Sequence, residues 1–411
     1  MLIAAIILSM LVHAAGGSSA YGQRRSYLRI LGTGPLATIQ PLPLRIVCPN
    51  CGVAAQSRAT LDGSTFNLDD GSVKAPKGKP QLPQLLSGYA IRPPWRVAGV
   101  DYAVGPQQGV TLKDPTTISI PGVSLDYSHH WILITQNDTT LDGYDFTLSG
   151  GWTIVIQAAN VTIRNFKISI ADGHPQDPIE TFAPANNITL EYGLVDGARA
   201  AGASTFGALI FHTSKAGTMT VQYLLLQNAV QHSIETLGPS NIYYNLFDSA
   251  MYAKGMHGDF IQSYSSNTII KFNTFYQPLA DATGFPGGVV AALNTSLPGN
   301  NQIISNVVFN NNTLVGIGAT GHASGPQALE NWINWTPTGT GNVVQSPVAK
   351  DNFCTMSGNR FSDFAYRQVS NFGNNGVVSP TLLNNRNMET GLPIRNVTSR
   401  NVTSRGRQTT K

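Results

Sequence analysis

Three polar residues, His212, Glu235 and Gln262, stand 6, 6 and 5 residues ahead of Thr218, Asn241 and Asn267. Each of those later residues opens a short run of alternating apolar and polar side chains. Asn294 stands 7 residues ahead of Asn301, which opens another such run. Matched offsets in a repeat place residues in one column, so these four are candidates for a shared outward file. His232 and His257 are 25 residues apart, about one repeat, and form a second candidate pair. Around the second of them, Tyr252, Lys254, His257 and Asp259 gather four reactive side-chain types in one loop. Proton abstraction beside a carboxylate, as in β-elimination or C5 epimerisation of a uronan, needs a base, a cation and an acid. Lys254, His257 and Tyr252 have the chemistry for those parts. Hydrolysis of a glycoside needs two carboxylates at a set separation. Glu235 and Asp259 are one repeat apart, and at about 4.8 Å per repeat they sit near the retaining spacing. The candidate catalytic residues are therefore Lys254, His257, Asp259, Tyr252 and Glu235. The candidate substrate contacts are Gln262, His232, His212 and Asn294. The plain alternative is that an outward Asp, His or Gln is a solvated surface residue.

The elements that must position these residues repeat along the chain. The runs open at Asn160, Asn187, Thr218, Asn241, Asn267 and Asn301, at separations of 27, 31, 23, 26 and 34 residues. Alternation such as Val161/Ile163 and Ile188/Leu190 reads as the inward face of a strand. Asn recurs at strand ends (Asn160, Asn187, Asn245, Asn273, Asn306), where it tolerates left-handed backbone and can bond to the next repeat. Near-periodic strands of this kind mark a stacked architecture. No stretch keeps a 3.6-residue apolar rhythm, so the reading is all-β.

Charged residues are 12% of the 411, and Gly numbers 41, a composition for tight turns rather than helical bundles. The net charge of +4 comes from the ends. Residues 86–390 hold 13 Lys/Arg against 19 Asp/Glu, and the flanks 13 against 3. The body is mildly acidic, which argues against nucleic acid as partner. Residues 1–20 pair an apolar run with a small-x-small site (Ser18, Ala20) and read as an export signal, although no Lys or Arg precedes the run. The run is too short to span a membrane comfortably. Cys48 and Cys51 lack the second ligand pair of a closed zinc site.

The phrases Thr139-Thr-Leu-Asp-Gly-Tyr, Asn160-Val-Thr-Ile-Arg-Asn-Phe and Asn241-Ile-Tyr-Tyr-Asn-Leu-Phe resemble the right-handed parallel β-helix, pectate-lyase-like group. The resemblance covers roughly 131–365 and identifies no single family within the group. It implies a single-stranded right-handed parallel β-helix with an N-terminal cap and disordered termini. The expected layout is a signal at 1–20, a low-order leader at 21–85, a cap at 86–130 and the helix at 131–365. A C-terminal cap at 366–390 and a basic disordered tail at 391–411 follow. The group implies a polysaccharide partner, met as a secreted, cell-surface or periplasmic protein by lyase or epimerase chemistry ahead of hydrolysis. A non-catalytic glycan-binding, adhesin or tailspike-like protein is the alternative. Ca2+ assists lyases of this group, and Asp142 and Asp145 are its candidate ligands. Trp332 and Trp335, in an expected loop, are either sugar platforms or a seal on the C-terminal end.

Overall fold

The structure is a computed structural model. It describes residues 58–61, 64–67, 78–169, 177–197, 207–250, 258–278, 291–295, 299–316, 331–335, 341–355, 364–366 and 376–394. The chain divides into Met1–Gln56 and Ser57–Lys411, and every described residue belongs to the second.

The architecture is all-β with long parallel sheets. The first sheet has ten strands. Nine are parallel neighbours in chain order: Trp131–Ile134, Thr153–Ile156, Ile179–Thr181, Ala208–His212, His232–Thr236, Asp259–Ser263, Ala291–Thr295, Asn331–Trp335 and Phe364–Tyr366. Val123–Asp126 closes one edge, antiparallel to Trp131–Ile134. A second sheet of fifteen strands and a third of three hold the intervening segments. After Ala208–His212 the chain enters the second sheet at Met219–Gln222 and Leu225–Ala229, then returns to the first at His232–Thr236. Each strand therefore pairs with its counterpart one repeat away, and side chains at matched positions form files.

The core follows from the alternation. Ile132, Ile154, Ile179, Ile210, Ile234, Ile261, Leu293 and Ile333 pair in sequence across the first sheet and are all 0% exposed. Leu141, Ile163, Leu190, Val221, Ile242, Ile270 and Phe309 do the same in the second. Branched residues suit this pleated, buried surface. Each such side chain contributes about 1.5–3 kcal/mol by leaving water.

The second sheet bends where single residues adopt positive φ: Asn165, Tyr192, Tyr223, Tyr244, Phe272, Asn311, Asp351 and Asn384. The residue after each of the last five bends is Asn. Asn245, Asn273, Asn312, Asn352 and Asn385 form a buried ladder, each amide donating to the next side-chain oxygen at 2.8–3.2 Å. Asn160 and Asn187 build a separate exposed ladder from Asp138. Left-handed backbone costs a non-glycine residue roughly 1–2 kcal/mol. At Tyr192, Tyr223, Tyr244 and Phe272 the rings stack in turn at 5.2, 5.2 and 5.3 Å. Aromatic pairs return about 0.5–1.5 kcal/mol each, which offsets much of that strain.

The segment expected to be an end cap, 86–130, is placed differently over much of its length. Residues 91–113 run across the second sheet from its C-terminal end toward its N-terminal end. Ile91 N–H donates to Met388 O (3.1 Å), Thr274 Oγ1 donates to Ala98 O (2.8 Å) and Gly105 N–H donates to Tyr223 O (2.9 Å). Gln107 N–H donates to Asn165 Oδ1 (3.3 Å), and Lys113 N–H to Gly143 O (2.8 Å). Ala98, Tyr102 and Val104 form a small second core there with Tyr223 and Leu246. Stacked bends leave an apolar aromatic stripe on this side, and the strap covers it. Of the expected leader, 78–85 belongs to the strap: Leu82 N–H donates to Gly99 O (2.7 Å). At the other end, Gly376–Val378, Thr381–Leu383 and Arg386–Asn387 continue the parallel ladders through the span expected to cap them. Within the expected tail, Ile394 N–H donates to Asn385 O (2.8 Å). The signal at 1–20, Cys48, Cys51 and residues 395–411 lie outside the described residues.

Candidate functional site

The first sheet carries a second file on the strand face opposite its isoleucines. Register pairs Val155 with Glu180, Glu180 with Phe211, Phe211 with Glu235, Glu235 with Gln262, Gln262 with Asn294 and Asn294 with Asn334. Glu235, Gln262 and Asn294 thus share a file, but Gln262 (4% exposed) and Asn294 (3%) are buried. His212 is not in that file. It lies one residue further along, in register with Thr181 and Thr236, and is fully buried. A one-residue offset moves a side chain to the other strand face. Its Nε2 donates to Gly217 O (2.8 Å) and its Nδ1 accepts from Thr181 Oγ1 (2.6 Å), the arrangement of a neutral core imidazole. Burial pushes its pKa down. Phe211 takes the place expected for it.

Three residues upstream on each strand lies a neighbouring set: Asp177, Ala208, His232, Asp259 and Ala291. His232 Nδ1 accepts from Asp259 N–H (3.0 Å), so that nitrogen carries no proton in this arrangement. Its 3.8 Å approach to Asp259 Oδ2 is therefore not an ion pair. Asp259 is fully buried, with Oδ1 accepting from Ala291 N–H (3.0 Å) and Oδ2 from Asn294 Nδ2 (2.9 Å). Glu235 and Asp259 consequently do not form the adjacent carboxylate pair expected from their spacing. Glu235 faces Gln262, and Asp259 braces the next strand. His257, Lys254 and Tyr252 lie outside the described residues.

The acids that meet are Asp177, Glu180 and Glu235. Asp177 is 8% exposed, and Glu180 and Glu235 are half-buried. Desolvation disfavours a carboxylate, and neighbouring negative charge disfavours it further. Burial raises Asp177 to about 6 although the N–H groups of Ala208 (2.9 Å) and Gly207 hold its charged form. Burial and the Asp177 charge raise Glu180 to about 8, against an N–H donated by Asp177 itself. Burial and the same charge raise Glu235 to about 7. One charge thus acts on two carboxyls that sit two file steps apart, roughly 10 Å by backbone spacing. Asp177 and Glu180 were not singled out from the sequence. Glu180 stands 7 residues ahead of Asn187, the offset that marked Asn294, so the signal was present.

Asp142 accepts from Arg164 Nε (2.9 Å) and Asn165 Nδ2 (2.8 Å), and Asp145 lies 3.5 Å from Lys167 Nζ. Protein cations occupy the carboxylates expected for Ca2+, and among the described residues no group of three or more His, Cys, Asp or Glu is placed to hold a metal ion. Trp332 and Trp335 are not in a loop. They belong to the strand Asn331–Trp335 and are fully buried, with Trp332 Nε1 donating to Thr355 O (2.8 Å). No helix among the described residues is long and apolar enough to cross a membrane. No protein-family model, curated protein or solved structure matches the chain.

Proposed function

We propose that residues 131–387 wind as a right-handed, single-stranded parallel β-helix whose first sheet binds a polysaccharide and cleaves it by acid–base hydrolysis. Strands that alternate between sheets yet pair in parallel one repeat away support the helical path, and parallel crossovers are overwhelmingly right-handed. A file of Glu180, Phe211, Glu235, Gln262 and Asn294 suits an extended chain of repeating units lying along it.

One observation carries the catalytic reading: Asp177 and Glu180, in contact through an N–H, are driven to different acidities, about 6 and about 8. Near neutral pH Asp177 is ionised and Glu180 holds its proton. That division is what a general base or nucleophile and a general acid require. Glu235, near 7, is a second proton donor along the same file. Elimination or epimerisation, which would draw on Tyr252, Lys254 and His257, is told from hydrolysis by its unsaturated product or inverted sugar. A non-catalytic glycan-binding role is the second reading, favoured by the amide side chains Gln262, Asn294 and Asn334 that follow the acids. If residues 1–20 act as an export signal, the glycan is one of the envelope or the exterior.

The test is incubation of the full chain with a panel of neutral, acidic and amino polysaccharides. New reducing ends without ultraviolet-absorbing unsaturated product support hydrolysis, and Glu180→Gln should remove about a hundredfold or more of the rate. Unsaturated product would overturn hydrolysis in favour of elimination. Binding without either product would leave the second reading alone.

A further inference from the structure

We propose that the polysaccharide bound by this face carries free amino groups, its ammonium groups seated among Asp177, Glu180 and Glu235 and donating to Oε1 of Gln262. The inference rests on the reading of the face as a glycan site and adds the substrate class.

Two independent observations lead to it. The first is that the three acids have no cationic partner among the described residues. Their fixed donors are backbone N–H groups: Ala208 and Gly207 on Asp177, and Asp177 on Glu180. The ion pairs of the described residues all lie elsewhere. Carboxyls so close are held together by the backbone register, not by mutual attraction. The second observation is an orphaned acceptor. Gln262, 4% exposed, donates from Nε2 to Tyr264 Oη (3.0 Å), and its buried Oε1 has no hydrogen-bond partner. Gln262 is the register neighbour of Glu235 in the same file. A buried acceptor left open costs about 1–3 kcal/mol, so the site is incomplete without a donor.

The next amide in the file does not supply that donor: Asn294 Nδ2 donates to Asp259 Oδ2 (2.9 Å), and Gln262 Oε1 stays open. Near neutral pH Asp177 offers a ligand negative charge, Gln262 an open acceptor, and Glu235 a carboxyl that a nearby cation would ionise. An ammonium group brings up to three donors, no acceptor and one positive charge. Successive ammonium groups along the chain complement the oxygen of Gln262 and the carboxylate of Asp177, and their positive charge favours ionisation of Glu235 and Glu180. A neutral sugar hydroxyl would satisfy Gln262 but leave the charge. A uronate would add a further carboxylate to three. The mildly acidic body, 19 Asp/Glu against 13 Lys/Arg over 86–390, steers a cationic chain in the same direction.

The test is titration calorimetry of the full chain near neutral pH, where Asp177 is ionised and amino sugars are still partly protonated. The probes are a β-1,4-linked glucosamine hexamer, its N-acetylated counterpart, an oligogalacturonate and spermidine. The hexamer should bind, with its N-acetylated form weaker by about tenfold or more, the worth of a charge-assisted contact. Gln262→Leu and Glu235→Gln should each weaken the hexamer about tenfold. Gln262→Glu, which keeps the volume and adds a charge, should hold or tighten it. Loss of affinity in both Gln262 variants, with circular dichroism unchanged, overturns the part assigned to Gln262. Equal or tighter binding of the N-acetylated or uronate chain overturns the amino-sugar inference and leaves the glycan reading standing. Spermidine binding as tightly as the hexamer, or no oligosaccharide binding at all, overturns the glycan reading itself.

Discussion

Replacing Glu180 by Gln isolates the physical basis of the site, because Gln keeps the shape of the protonated acid and cannot ionise. The folded chain raises Glu180 from its ordinary 4.5 to about 8. A group with a folded pKa above its unfolded one holds its proton in the native state after the unfolded chain has lost it. Stability contributed this way is present below the unfolded value and declines as pH rises through the folded value. Each tenfold in proton affinity is worth about 1.4 kcal/mol, so the full rise corresponds to about 5 kcal/mol, with burial as the larger cause and the Asp177 charge as the smaller. Glu180→Gln should therefore leave the urea midpoint nearly unchanged around pH 5 and raise stability by roughly 3–5 kcal/mol around pH 9. The assay is urea unfolding of both proteins followed by circular dichroism across that range. An equal difference at both ends, or a wild-type stability that is flat with pH, would refute the account of buried, mutually repelling carboxyls.

If the chain hydrolyses a glycan, its pH–rate profile should be a bell with limbs near 6 and 8, from Asp177 and Glu180, and Asp177→Asn should remove most of the rate at every pH. Asn312→Leu would strip Asn273 N–H (3.0 Å) of its acceptor and Ile270 O (3.1 Å) of a side-chain donor, while Asn352 Oδ1 keeps the residue-312 backbone N–H (2.9 Å). At about 1–3 kcal/mol per orphaned buried group, denaturant unfolding should show a loss of roughly 2–6 kcal/mol. Gly99 has φ +73°, and a Cβ there would lie 2.5 Å from Leu246 Cδ2. Gly99→Ala should lift the strap at a cost of about 1–3 kcal/mol, read as faster proteolysis within 78–105.

The sequence by itself determined the repeat. Alternating apolar residues such as Ile163 and Leu190, opened and closed by Asn, specify parallel strands with one buried face, because period-2 patterning and left-handed Asn are local properties. It also aligned Glu235, Gln262 and Asn294, since a matched offset to the next strand survives as a matched register. Only the tertiary structure decided which face each neighbour takes. His212 misses the file by one residue and becomes a core imidazole bonded to Thr181 and Gly217, because a pleated strand reverses side with every step. The partnership of Asp177 with Glu180 and Glu235 was likewise invisible, since acidity depends on burial and on charges brought near by other strands. So was the strap. Nothing local in 91–113 shows that its N–H groups find carbonyls more than a hundred residues away, over aromatic rings that the bends have stacked.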